Sequence, residues 1–337
     1  MMLVAEHGGA ARTVLEIENA KAPPRSRSLK RTTTVRRGLP TTTAMRTRGA
    51  CPKHDPEQKK GPPTDHHSLF PDGSYFLTIG INEPGKKSGL PPLAGAISDA
   101  MLVRNTLQHA GFTCLGELCN PTACCIRQTL GNIKAKLRSR PKSRFILFLA
   151  GHGINIEGEG WVCTAGMDKH NLEGSCLEMN ALKDFAKRLD CRSQLFLLDC
   201  CHAASLISCR RGGAQGSTPT KNKTSLSAAA AQRLAALPAV FALCAAPSDS
   251  HAFEVAGTGL LTKHFCNGIR FLRGCTQSAR NEEFGSGAHT TAAELFNYIL
   301  RGVLSESEDV GCLQLPCFAP ILLMHKTQPV EGQFLLF

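Results

Sequence analysis

The sequence has no long hydrophobic run and no recognisable secretion signal. Nowhere do about 18 apolar residues follow one another, so no membrane-spanning helix is predicted. The apolar stretch at residues 1–4 is too short for the hydrophobic part of a signal peptide, and glutamates at positions 6, 16 and 18 are atypical of a transit peptide. We therefore expect an intracellular, cytoplasmic protein.

The 16 cysteines lack the pattern of a metal site or of a secreted disulfide scaffold. Without a secretion signal they indicate reduced thiols, and a free cysteine packs as a small apolar residue. One cluster leaves a zinc site open: His109, Cys114, Cys119, Cys124 and Cys125. This cluster lacks the paired Cys-x-x-Cys knuckles of zinc proteins, so we expect no metal.

Acidic residues are scarce between residues 21 and 60: this segment contains 12 Lys and Arg but only two acids, Asp55 and Glu57. This segment therefore supplies +10 of the net charge of +12. Residues 1–73 are rich in Arg, Thr, Ser and Pro and almost free of aromatic residues, so they cannot offset chain entropy by apolar burial. We expect a disordered basic arm. The arm has few aromatic rings on which bases could stack. Three roles stay open: it could bind nucleic acid or an anionic surface, act as a prodomain, or serve as a targeting signal.

From Ser74 onward, short apolar runs alternate with segments of helical spacing. Strands are predicted at residues 75–81, 112–118, 145–150, 195–198, 239–245 and 319–324. Helices are predicted at residues 94–110, 122–137, 179–189, 260–272 and 291–303. This alternation indicates an α/β fold with a mostly parallel sheet and helices on both faces. A flexible linker at 208–237, which includes an Ala-rich helical patch, interrupts it.

Two predicted strands end in groups suited to covalent catalysis. The first continues into Gly151-His152-Gly153 and the second into Asp199-Cys200-Cys201-His202. Because the carboxyl ends of parallel strands form the ligand crevice, both ends are expected to face one site. A thiol beside an imidazole is a nucleophile with its base, and a helix that starts after the cysteine is expected to lower its pKa. The alternative is a buried packing cysteine and a turn histidine.

Five short motifs occur in order: LTIGIN at 77–82, AGAISDA at 94–100, FLAGHG at 148–153, LLDCCHA at 197–203 and GTGLLT at 257–262. His152 precedes Cys201 by 49 residues, close to the spacing of about 50 in caspases. Residues 74–337 thus resemble caspase-like cysteine peptidases, metacaspases more than animal caspases. The resemblance implies a three-layer caspase-like fold with a large-subunit part at 74–207 and a small-subunit part at 238–337. It also implies protein or peptide substrates, no cofactor and a role in programmed cell death.

The catalytic residues are assigned through this resemblance. Metacaspases carry Asp-x-Cys-His-Ser-Gly at the nucleophile, which implies that Cys201 rather than Cys200 attacks the peptide bond. It also implies that His152 is the base and that the N–H groups of Gly153 and Cys201 form the oxyanion hole. Residues 203–204 are alanines where the family has Ser and Gly. No carboxylate can be assigned as a third triad member.

The resemblance also bears on specificity, because metacaspases cut after Arg or Lys and animal caspases after Asp. Asp99 and Asp199 occupy positions that are acidic in metacaspases. Two carboxylates in one pocket pair well with a cation, and the guanidinium fork favours Arg over Lys. Alternatively, Asp99 is an acid of the helix surface or of the N-terminal turn of the helix, and Asp199 caps the following turn.

Calcium is not favoured as a cofactor. Many metacaspases bind it through a dense acidic segment after Gly-His-Gly, whereas residues 154–168 offer only Glu157, Glu159 and Asp168. A hard cation needs several oxygen ligands, so we predict calcium-independent activity.

The linker holds candidate self-cleavage sites if specificity is basic, namely Arg210, Arg211, Lys221 and Lys223. An inert surface insertion is the alternative. Metacaspases are mostly monomeric, so the resemblance favours a monomer. A competing interpretation keeps the fold but makes the protein a catalytically silent scaffold that is recruited through its basic arm.

Overall fold

Strands and helices alternate along the chain in the structure, which is a computed structural model. The structure describes residues 69–207, 228–247, 250–281, 289–309, 311, 313–322 and 324–336. The strands are β1 (Ser74–Gly80), β2 (Thr113–Cys119), β3 (Arg144–Ala150), β4 (Gly153–Ile156), β5 (Glu159–Val162), β6 (Leu177–Glu178), β7 (Ser193–Asp199), β8 (Ala239–Cys244), β9 (Glu254–Val255), β10 (Thr258–Gly259), β11 (Cys317–Pro320), β12 (Met324–His325) and β13 (Gln328–Pro329). The helices are α1 (Ala96–His109), α2 (Ala123–Lys136), α3 (Leu172–Ser175), α4 (Met179–Arg188), α5 (Ala228–Ala236), α6 (Leu260–Asn281) and α7 (Ala292–Asp309).

A six-stranded sheet with the order β11-β8-β7-β3-β1-β2 lies at the centre of these residues. Its pairs are parallel except at the edge, where β11 runs antiparallel to β8. Every residue of β3, β7 and β8 is buried, as expected for parallel strands that are covered on both faces. Helices α1, α6 and α7 bury their apolar faces on one side, and α2 and α4 on the other. The predicted three-layer α/β fold is therefore confirmed.

Three parts of the fold differ from the prediction. The strand expected at 319–324 is divided between β11, which ends at Pro320, and the β12–β13 hairpin, although the Ile321 N–H still donates to the Val240 carbonyl at 2.9 Å. A small antiparallel sheet, β4-β5-β6, follows β3 and has no counterpart in the predicted elements. Phe70, which we assigned to the arm, is 2% exposed and packs on Arg144, so the packed chain begins before Ser74.

The linker and the arm are described only in part. Helix α5 corresponds to the Ala-rich patch inside the predicted linker. Residues 208–227 and residues 1–68 lie outside the described part of the chain. Among the helices that the structure does describe, none combines the length and apolar character needed to cross a membrane.

Candidate active site

His152 and Cys201 follow neighbouring strands at the same edge of the sheet. Strands β3 and β7 pair in parallel with Ala150 opposite Asp199, so each candidate lies two residues beyond a paired position. Both residues line a cavity of about 120 Å³, and so do Asp99 and Asp199. The structure therefore brings together the four side chains that the sequence selects. The rest of the wall is formed by Leu93, Ala96, Ala150, Gly151, Cys200, Ala252, Phe253, Glu254 and Gly259.

His152 is oriented by a backbone carbonyl. Its Nε2 lies 2.8 Å from the carbonyl oxygen of Pro91. Because a carbonyl only accepts hydrogen bonds, Nε2 carries the proton, and Nδ1 keeps the lone pair that can take a proton from a thiol. Pro91 comes 61 residues before His152. No local pattern connects the two residues, so this contact could not be predicted from the sequence.

The Cys201 thiol is half-buried and holds its proton more tightly than a free thiol. Burial raises its pKa, a hydrogen bond of 3.4 Å from the Ala252 N–H opposes this, and the Asp199 charge adds to the rise. The predicted lowering of this pKa is therefore wrong. The physical reason is that Cys201 is followed by a four-residue 3-10 turn, Ala203–Leu206, rather than by an α-helix with an aligned dipole, so burial dominates.

The turn after Cys201 accommodates the two alanines without left-handed backbone. The residue with left-handed backbone is His202, with φ of 57°. Ala203 and Ala204 are buried in the 3-10 turn and have no positive φ. The replacement of Ser and Gly by alanine therefore introduces no left-handed strain at those positions.

Cys200 differs from Cys201 in its surroundings. It is 1% exposed, and burial raises its thiol pKa well above the ordinary value. A thiol becomes a good nucleophile when it is accessible and can lose its proton. The structure therefore favours Cys201 as the reactive group.

Gly153 packs directly against the backbone of Cys201. A Cβ atom at position 153 would overlap the carbonyl oxygen of Cys201. Only glycine permits this approach, so the backbones of the two candidate oxyanion-hole residues are held side by side.

Asp99 and Asp199 are buried in the cavity wall, with 2% and 8% of their surface exposed. Asp99 accepts a hydrogen bond of 2.9 Å from the Gly259 N–H. Asp199 accepts one of 3.1 Å from the Thr262 N–H and one of 2.6 Å from its hydroxyl. Burial raises the pKa of Asp99 to about 7 and that of Asp199 to about 6.

Glu254 is a third carboxylate of the cavity, which the sequence prediction misses. It lies on β9, and its charge further raises the pKa values of Asp99 and Asp199. Among the described residues that line the cavity, none is Lys or Arg. Three carboxylates without a fixed cation favour the binding of a positively charged group. In the sequence, the feature that could have indicated a role for Glu254 is its position three residues before the GTGLLT motif.

The three acids considered for calcium have separate partners or positions. Glu159 accepts a hydrogen bond of 2.7 Å from Asn180, and Asp168 pairs with Lys87 at 3.1 Å. Glu157 lies in the turn between β4 and β5. In the described part of the chain no three His, Cys, Asp or Glu side chains are grouped so that they could hold a metal ion. This statement covers the cluster of His109, Cys114, Cys119, Cys124 and Cys125.

The candidate self-cleavage residues Arg210, Arg211, Lys221 and Lys223 lie outside the described residues. The positively charged residues of the arm do so as well. Self-processing and the role of the arm therefore stay predictions from the sequence.

A three-layer α/β fold with a histidine and a cysteine at the ends of adjacent parallel strands defines a caspase-like protein. The comparison with known families agrees, because residues 75–325 match the family model described as the Caspase domain. The chain belongs to this family. No curated protein matches the sequence.

Proposed function

We propose that the protein is a cysteine endopeptidase of the metacaspase type that cleaves after Arg or Lys. The observation that supports this most directly is that a thiol, an imidazole and three carboxylates line one cavity. The thiol and imidazole provide a nucleophile with its base. The carboxylates provide the complement of a basic side chain.

In the proposed reaction, Nδ1 of His152 takes the proton of the Cys201 thiol while the sulfur attacks the scissile carbonyl carbon. Because burial raises the pKa of Cys201, the thiol is neutral at rest and its proton moves during the attack. The N–H groups of Gly153 and Cys201 stabilise the oxyanion. Collapse of the intermediate expels the amine, which receives the proton from His152, and leaves a thioester. Water then hydrolyses the thioester, with His152 as general base, and the thiol is restored.

The first specificity pocket is assigned to Asp99, Asp199 and Glu254. A guanidinium or ammonium group placed among them would favour the ionised carboxylates and offset part of the cost of their burial. The two donor edges of a guanidinium suit paired carboxylates, so Arg is expected to be preferred to Lys.

Two accompanying proposals concern regulation. Activity is expected to persist in a calcium chelator, and loss of activity that calcium restores would contradict this. The linker is expected to be cut after one or more of Arg210, Arg211, Lys221 and Lys223. Mass spectrometry of the wild type beside Cys201→Ala separates self-processing from contaminating proteolysis, because only self-processing needs the nucleophile.

The test of the main proposal uses matched fluorogenic peptides that end in Arg, Lys or Asp. The full-length protein and Cys201→Ala are compared under reducing conditions, with Cys200→Ala as the matched control. We expect release after Arg and Lys by the wild type and by Cys200→Ala, and none by Cys201→Ala. Preferential release after Asp would overturn the assigned specificity. If the folded wild type released the fluorophore from none of the peptides, the scaffold interpretation would be favoured.

A further inference from the structure

Cys244 and Cys317 lie directly opposite each other at the edge of the main sheet. They are registered partners on the antiparallel strands β8 and β11. Residues opposed in this way present their side chains on one face, with Cβ atoms about 4.5–5.5 Å apart. Both side chains pack in the same apolar cluster, and a hydrogen bond joins the two thiols.

The backbone spacing of these two positions suits a covalent link. Opposed residues of antiparallel strands have Cα atoms about 4.5 or 5.5 Å apart, depending on the type of pair. Disulfides are formed over Cα separations of about 4.4–6.8 Å. A bond between the two sulfurs therefore requires side-chain rotation and little movement of the strands.

Cys317 also has the accessibility and chemistry to react first. It is half-buried, whereas its partner Cys244 is fully buried. The hydrogen bond from Cys244 lowers the pKa of the Cys317 thiol, which favours the reactive thiolate. The Cys317 sulfur also contacts a backbone carbonyl, that of Ala246, but at 3.9 Å, whereas the buried thiol of Cys191 lies 2.9 and 3.1 Å from the carbonyls of Ser143 and Ser193.

We propose that Cys244 and Cys317 form a redox-active dithiol that closes to an intramolecular disulfide when the protein meets hydrogen peroxide. The Cys317 thiolate attacks one peroxide oxygen, which gives a sulfenic acid and hydroxide. The Cys244 thiol then attacks the Cys317 sulfur, the S–S bond forms, and the sulfenic oxygen leaves as water. The two sulfurs give up two electrons, which reduce the peroxide, and a dithiol reductant reverses the reaction.

The proposed bond lies close to a support of the active-site cavity. Three residues before Cys317, the buried side chain of Gln314 accepts a hydrogen bond of 2.8 Å from the N–H of Phe253 in the cavity wall. A disulfide would fasten the start of β11 to β8 and so restrain the chain that carries Gln314.

The experiment is peptide mapping of full-length Cys201→Ser, in which the candidate nucleophile cannot itself be oxidised. The protein is treated with hydrogen peroxide, free thiols are alkylated, and the digest is analysed by mass spectrometry. We expect a linked peptide that joins Cys244 to Cys317 and disappears after treatment with dithiothreitol. This readout does not depend on peptidase activity, so it stands apart from the proposed function.

Two further variants in the same background complete the test. Cys317→Ser should abolish the linked peptide, whereas Cys191→Ser, a matched buried thiol, should leave its yield unchanged. The thermal midpoint of the oxidised protein should exceed that of the reduced protein, and Cys317→Ser should lose this difference. The proposal is overturned if Cys244 and Cys317 stay alkylatable after the exposed Cys119 and Cys124 are oxidised. Linkage of Cys317 only to some other cysteine also overturns it.

Discussion

At the scale of single residues, Asp99 combines a proposed role in substrate binding with a cost to stability. Its pKa is about 7 in the folded protein, against 3.8 ordinarily. The folded state therefore binds the proton more tightly than the unfolded state, and unfolding releases it between about pH 4 and 7. It follows that the contribution of Asp99 to stability falls as pH rises through this window and stays low above it.

Asp99→Asn is expected to stabilise the protein at pH 8 while impairing cleavage after Arg. Asparagine can still accept the hydrogen bond from Gly259, but it carries no charge to desolvate. The gain in free energy of unfolding should be on the order of 4 kcal/mol, since the pKa rises by about three units and one unit corresponds to about 1.4 kcal/mol, and the gain should shrink towards zero below about pH 4. Urea unfolding at several pH values measures it. Asp184→Asn, an exposed helix position, is the control and should show no such gain.

Arg144 is a buried cation without a carboxylate partner among the described residues. Its guanidinium lies 4.7 Å from the ring centre of Phe70 and 4.4 Å from that of Phe112. It also donates to the carbonyl oxygens of Leu335 and Leu336, at 2.6 and 2.9 Å. One side chain thus connects β3 with segments near both ends of the described chain.

Arg144→Met should destabilise the protein by about 3 kcal/mol, because it leaves two buried carbonyls without their donor. Arg188→Met removes an exposed surface pair and should cost less than about 0.5 kcal/mol. Chemical denaturation of both variants beside the wild type gives the comparison. A neutral or stabilising Arg144→Met would mean that desolvation of the guanidinium outweighs its contacts.

At the scale of elements, the loop that carries Phe253 depends on a side chain from the segment before β11. Gln314 is fully buried, its Oε1 accepts the Phe253 N–H, and its Nε2 has no hydrogen-bond partner among the residues that the structure describes. The flanking Leu313 is 67% exposed, so it serves as a matched control.

Gln314→Leu is expected to raise KM for an Arg peptide about tenfold with little change in kcat. The reason is that an unpaired N–H costs the loop roughly 1–3 kcal/mol and loosens the cavity wall, whereas His152 and Cys201 do not contact Gln314 in any described hydrogen bond. Steady-state kinetics measure the effect, and Leu313→Ala should leave both constants near wild type. An equal fall in kcat with unchanged KM would contradict a role in positioning the substrate loop.

At the scale of the whole molecule, the packed part of the described chain includes Phe70, which precedes the composition change near Ser74. The Phe70 ring lies on Arg144 and belongs to a small cluster with Ala231 and Leu335. A neighbouring residue adds to this attachment, because the Asp72 carboxylate accepts a hydrogen bond of 2.9 Å from the Lys142 N–H.

Two truncations should therefore behave differently. Removal of residues 1–68 should leave the thermal midpoint close to that of the full chain, whereas removal of residues 1–73 should lower stability by roughly 3 kcal/mol, as expected for loss of a buried phenylalanine. Differential scanning calorimetry measures both. Phe70→Ala in the full chain should reproduce most of the loss, and Phe271→Ala, at a ring that is 55% exposed, should not. Equal midpoints for the two truncations would show that Phe70 contributes nothing.

The sequence by itself determined the layer architecture and the identity of the proposed dyad. Buried parallel strands are continuous apolar runs, so β3 and β7 can be recognised locally. The motifs that follow them contain His152 and Cys201, and parallel pairing brings the ends of such strands to one edge. Asp99 and Asp199 could be found for the same reason, since each lies in a short recognisable motif.

Only the tertiary structure decided the features that join residues far apart in the chain. The carbonyl of Pro91 behind His152 and the carboxylate of Glu254 in the pocket are such contacts, and no local pattern encodes them. The Cys201 pKa was predicted in the wrong direction because burial is a property of the packed chain, whereas the expected helix dipole was a local inference. The final strand was mispredicted because apolar character continues past Pro320, whereas the chain leaves β8 after the single hydrogen bond from the Ile321 N–H to Val240.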